Sequence, residues 1–144
     1  GKWVPRTSRE RGYGRHCEVC VKALGLGNPQ WTRLASDSPP WMRLGYRLFE
    51  VLDTLARTYE VFPSAAYRML IDGDHPPIPL RLKDFASRRK DMLDACAAAY
   101  TVWAVINSRG TEVGGGDGLG TIALPKKLPV KVSHPVLHWP KPPE

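Results

Sequence analysis

Apolar positions recur at helical spacing along two long stretches of this chain. In SDSPPWMRLGYRLFEVLDTLARTYEVFP, Trp41, Leu44, Leu48, Val51, Leu52, Leu55, Tyr59 and Phe62 fall on one helical face, and Arg43, Arg47, Glu50, Arg57 and Glu60 fall mainly between them. The pattern predicts an amphipathic helix over 40–62, with Ser38 as its N-cap, Pro39 in its first turn and Pro63 beyond its end. Its stripe of large side chains is expected to be buried, each contributing roughly 1.5–3 kcal/mol. A second helix is predicted over 82–107, with Leu82, Phe85, Met92, Cys96, Ala99, Trp103 and Ile106 on its apolar face. Alanines at 95 and 97–99 permit close approach of a neighbour, and Gly110 ends the element. The two long helices are expected to pack on each other as the core.

Two shorter helices complete the pattern. Cys17, Cys20, Val21 and Leu24 stand at i, i+3, i+4 and i+7 in a segment 16–26 that Gly25, Gly27 and Pro29 bring to a stop. SAAYRMLI, 64–71, reads as another short helix, followed by a proline-rich loop at 72–79.

The fold class expected is therefore all-α, a small bundle of about four helices over 16–109, with irregular ends. Residues 1–15 carry Lys2, Arg6, Arg9, Arg11 and Arg15 against Glu10 alone, without periodicity, and read as a flexible basic arm. Residues 110–120 hold six glycines and read as a linker. Residues 121–144 alternate apolar and basic positions around six prolines. They are expected either to form an edge strand near 128–132 or to lie extended on the helices.

Composition changes this picture in two ways. First, the net charge of +7 favours an anionic partner. Arg81, Lys83, Arg88, Arg89 and Lys90 cluster on or beside the second long helix, Arg6, Arg9, Arg11 and Arg15 on the arm, and Lys126 and Lys127 in the tail. With Trp3, Tyr13 and Trp31 available to stack on bases, these groups predict a non-enzymatic module binding RNA or single-stranded DNA. The alternatives are a protein-interaction or assembly adaptor, docking a partner through the Pro-rich tail, and a peripheral membrane module of matrix-like layout. Charge does not choose among them, and the oligomeric state stays open.

Second, the three cysteines cannot all pair within the chain. No secretory signal is visible and the longest apolar run, 95–106, is too short to span a bilayer. An intracellular, reducing compartment, cytoplasmic or nuclear, is expected. The chain opens on Gly1 without Met, as a cut chain, a tag remnant or a processed product would, and Pro5 stands where a myristoylation motif needs Ser or Thr.

Candidate chemistry centres on Cys17 and Cys20. With His134 and His138 in the tail they supply the ligand types and local spacings of a Cys2His2 zinc site. More than a hundred residues separate the pairs, so such a zinc would clasp the two ends of the domain and would not form a finger. The competing reading is that both cysteines pack on the inner face of their helix, with no cofactor. No nucleophile, base and orienting group stand at a recognisable spacing, and no enzymatic activity is expected.

Overall fold

The computed structural model describes Trp3, residues 14–70 and residues 89–129. Its elements are α1 (His16–Ala23), a single 3-10 turn (Ala35–Asp37), α2 (Pro40–Asp53), β1 (Glu60–Val61), α3 (Pro63–Leu70), α4 (Arg89–Ile106), β2 (Thr111–Gly114) and β3 (Thr121–Leu124).

The expected all-α class is corrected by a three-stranded mixed sheet in the order β1-β3-β2. β3 is its centre, running parallel to β1 (Glu60 beside Ile122, Val61 beside Ala123) and antiparallel to β2 (Thr111 beside Leu124, Gly114 beside Thr121). TIAL is apolar and nearly wholly buried, as a central strand covered on both faces must be. Residues 110–120, read from composition as a linker, carry β2 and the turn that returns to β3. Glycine there serves close approach: Gly114 has φ +94°, and a Cβ on it would stand 2.4 Å from the Cα of Cys17. The hairpin thus lies backbone-on-backbone against α1.

The apolar core joins both ends of the described chain. Cys17, Cys20 and Val21 of α1 meet Ala65 of α3, Val113 of β2, and Ile122 and Leu124 of β3, with Leu24, Leu26, Phe62, Met69 and Leu128 packed around them. Ile122 and Leu124 share one face of β3 by the two-residue period of a strand.

The predicted 40–62 helix ends early. Thr54 donates its hydroxyl to the Val51 carbonyl (2.7 Å), Thr58 donates to the Asp53 carboxylate, and Glu60–Val61 then extend to pair with β3. The apolar spacing that continued through Tyr59 and Phe62 belongs to a strand entering α3, with Pro63 as that helix's first residue. At the other end, Pro39 takes the N-cap position and Ser38 donates its hydroxyl to the Leu34 carbonyl (2.8 Å).

Helix α4 is present from Arg89, and its expected extension over 82–88 lies outside the described residues. Its buried face is Ala97, Thr101 and Ala104, about a third of a turn from the expected one. Small side chains let α4 approach β3, β1 and α3. Thr101 is satisfied by donating to the Ala97 carbonyl (2.7 Å). Trp103 remains half-exposed, stacked on Tyr100 and with Arg109 over its ring. Among the described residues the expected α2–α4 core pairing does not form: neither α4 nor any other described helix or strand packs extensively on α2.

Candidate docking face

Among the described residues, helix α2 is held mainly on one side. Met42 is buried, and Gly45, Tyr46 and Phe49 lie on the same side at helical spacing. Trp3 sits against them, with its ring 5.0 Å from Tyr46 and 6.1 Å from Phe49, edge-on to both, and 6.4 Å from Trp41. Gly45 makes this possible, because a Cβ there would fall 1.6 Å from the Trp3 ring. The Trp3 Nε1–H donates to the Thr32 hydroxyl (3.2 Å), and the Tyr46 hydroxyl meets that of Ser38 (3.2 Å).

Thr32 carries the anchor inward. Its N–H donates to the Glu18 carboxylate at 3.0 Å, as does its hydroxyl. The same carboxylate accepts from the Arg15 backbone N–H (3.0 Å) and from the Arg15 guanidinium (3.0 Å). Arg15 then reaches Glu60 of β1. Burial alone would lower the proton affinity of Arg15, but its hydrogen bonds and charge pairing with Glu60 more than reverse that, so the guanidinium stays charged in the interior.

With its inner side satisfied, α2 turns a second apolar stripe to solvent. Trp41, Leu44, Leu48, Val51, Leu52 and Leu55 keep 50, 59, 52, 58, 47 and 77% of their surface. These residues are the stripe predicted as core. The polar residues Arg43, Arg47 and Glu50 occupy a third side. Exposed apolar side chains grouped along one helix face are a feature that interaction sites share.

The sequence-derived candidates distribute differently. Arg15 is buried in the ion-pair network and does not face solvent as an arm residue. Lys90 and Lys127 are exposed and Lys126 is half-buried. Arg6, Arg9, Arg11, Arg81, Lys83 and Arg88 lie outside the described residues, as does the side chain of Arg89. Of the proposed stacking platforms, Trp3 is packed beneath α2 and Trp31 has Lys22 5.2 Å above its ring; Tyr13 is outside the described residues.

Cys17 and Cys20 are buried in the core cluster. Burial pushes both thiols up, Cys20 to about 11 and Cys17 further, against the opposing charge of Arg15. His134 and His138 lie outside the described residues. Among the described residues, no group of three or more His, Cys, Asp and Glu side chains is arranged to hold a metal ion. His16, beside Cys17, is buried and accepts the Gly116 N–H at Nδ1 (2.9 Å), while its own backbone N–H donates to Asp117 (2.7 Å). Among the described residues, no helix is long and apolar enough to cross a membrane.

No protein-family model, curated protein or solved structure matches this chain.

Proposed function

We propose that this protein is a non-enzymatic docking module that binds another polypeptide through the outward stripe of α2. The observation that carries the reading is the division of α2 into two apolar sides, one packed by Trp3 and the other exposed among the described residues. Covering six half-exposed side chains would contribute roughly 1 kcal/mol each, several kcal/mol in all. That is enough to support association only after the entropy of binding is met, on the order of 4–15 kcal/mol, so additional rim contacts belong to the interface.

The charge of α2 as a whole favours protein over nucleic acid or anionic lipid. The exposed cations Arg43 and Arg47 are balanced by Glu50 and Asp53 on the same helix. Phosphate-binding surfaces need an excess of Lys and Arg at the contact.

Leu48→Glu tests the reading, since it alters the stripe without touching the inner side. A polypeptide captured by the wild-type chain, repurified, should bind it directly and fail to bind Leu48→Glu. An RNA oligonucleotide and phosphatidylserine vesicles serve as rival probes. Salt-sensitive oligonucleotide or vesicle binding at full strength in Leu48→Glu, with no polypeptide partner lost, would overturn it.

A further inference from the structure

We infer that Thr32 and the Gly45 side of α2 form a slot selective for an indole, and that Trp3 in this slot is a removable strap fastening α2 to the rest of the fold. The inference concerns the inner side of the helix and does not depend on what the outer stripe binds. At one end of the slot the Thr32 oxygen accepts the Trp3 Nε1–H at 3.2 Å. Thr32 is buried, and its hydroxyl donates to the Glu18 carboxylate. A hydroxyl has one proton, so the oxygen presents only lone pairs to the ring. Glu18 is fixed in turn by the backbone N–H and the guanidinium of Arg15. The acceptor is therefore aimed by buried groups other than the ring it receives.

At the other end the benzene edge of the indole lies on Gly45, where a Cβ would stand 1.6, 2.5 and 2.6 Å from three ring carbons. Tyr46 and Phe49 meet the ring edge-on. An indole supplies both an apolar edge for the glycine and an N–H for the hydroxyl; a phenyl ring supplies only the first. Glycine inside a helix is unfavourable, and here the cost is offset by admitting the ring. The two ends belong to different parts of the fold. Thr32 is tied through Glu18 and Arg15 to β1, whereas Gly45 lies in mid-α2. Among the described residues, no helix or strand packs extensively on α2. Its other inward contacts are buried Met42 and the Tyr46 hydroxyl on Ser38, which joins the helix only to the residue before its own N-cap. Trp3 thus bridges α2 to the buried polar network.

Hydrogen exchange of the full chain tests this. Trp3→Ala should speed exchange of the α2 amides by roughly 10- to 100-fold, as withdrawal of one large apolar side chain would, and leave the amides of α1, β2 and β3 protected. Indole supplied at about millimolar concentration, the effective concentration that a short tether provides, should restore protection to α2. The isostere 1-methylindole, which has no N–H, should restore less. Gly45→Ala gives an independent reading through its sign. In the wild-type chain it should speed α2 exchange, because the methyl expels the ring. In Trp3→Ala it should slow α2 exchange, because alanine is the better helix former once the slot is empty, and it should block rescue by indole.

Slower α2 exchange in Gly45→Ala alone would overturn the inference, because the ring would then not be seated on the glycine. So would α2 exchange unchanged in Trp3→Ala. Loss of protection throughout Trp3→Ala would make Trp3 part of the common core and not a strap. Equal rescue by indole and 1-methylindole would deny the slot its selectivity, and no rescue by either would deny that it binds an indole at all. The docking reading is tested separately, by Leu48→Glu on the opposite side of the helix.

Discussion

Arg15 and Glu60, 45 positions apart, form a two-pronged ion pair in the interior, with N–O distances of 2.8 and 2.5 Å. The pair fastens the residue preceding α1 to the edge strand β1. A planar guanidinium meeting a carboxylate in this way gains geometry as well as charge. Its energetic value lies in what would follow its rupture, because desolvating both ions offsets much of their attraction.

Arg15→Met should therefore cost about 3–5 kcal/mol in denaturant unfolding, since it leaves the Glu60 carboxylate without its cation. Burial already pushes the Glu60 carboxyl up, and Arg15 opposes that push. Removing Arg15 raises it further, so the variant's native state binds protons that its unfolded state has released. Its deficit should shrink as pH falls into the carboxylate range and grow as pH rises through it. Replacing Glu60 with Leu in the same variant should recover much of the loss, because Glu18 keeps the Arg15 backbone N–H and Thr32 as partners. A double variant no better than Arg15→Met alone would refute this account of the pair.

Gly114→Ala should destabilise the hairpin on two counts. The backbone is left-handed at this position, and the added methyl meets the backbone of α1 at Cys17. Backbone atoms cannot swing aside as a flexible side chain can. Gly118→Ala provides the comparison, with φ +73° but no atom within 4 Å of the added carbon. Hydrogen exchange at β2 and β3 amides should accelerate far more in Gly114→Ala than in Gly118→Ala. Equal effects would mean that backbone strain alone matters and that the contact with α1 does not.

The buried thiols make stability fall in alkali. Cys20 is raised by burial to about 11 from an ordinary 9.0, and Cys17 is raised further. For a group whose folded pKa lies above its unfolded value, the contribution is fully present below the unfolded pKa. It is lost as pH rises through the folded one. The denaturant midpoint should therefore decline from pH 9 through 11, and more gently in Cys17→Ala. Tyr46 and Tyr67, also pushed up by burial from their ordinary 10.0, add a loss of the same sign at higher pH than the onset of the thiol effect. At neutral pH a thiol reagent should modify the half-buried Cys96 and spare Cys17 and Cys20 until the chain unfolds.

Helix existence was legible in the sequence, and helix orientation was not. The i, i+3, i+4, i+7 pattern placed α1 and its buried cysteines, and turn residues placed the start of α3 within a residue. Periodicity reports that a helix has an apolar side, but not which neighbour fills it. In α2 the larger stripe faces outward, because Trp3 fits only over Gly45, and no pattern in the sequence marks a residue in an irregular arm as the packing partner. In α4 the small face of Ala97, Thr101 and Ala104 won over the face of Trp103 and Ile106, since close approach to β3 needs small side chains. The sheet was hidden by brevity: β1 has two residues, and β2 and β3 sit beside glycines whose number suggested a linker. The one textual hint was Glu60, an acid amid Tyr59, Val61 and Phe62, where a buried partner such as Arg15 is required.

The two sides of α2 should respond oppositely to substitution. Met42 is almost wholly buried, so Met42→Ala should cost about 2–5 kcal/mol of stability. Leu44→Ser and Leu48→Glu, at half-exposed positions, should change the stability of the isolated chain by less than about 0.5 kcal/mol. The measurement must be made at low protein concentration, because any assembly through the stripe adds stability that grows with concentration. If Leu48→Glu instead unfolds the dilute chain, the stripe is part of the monomer's own core and the docking face assigned to α2 does not exist.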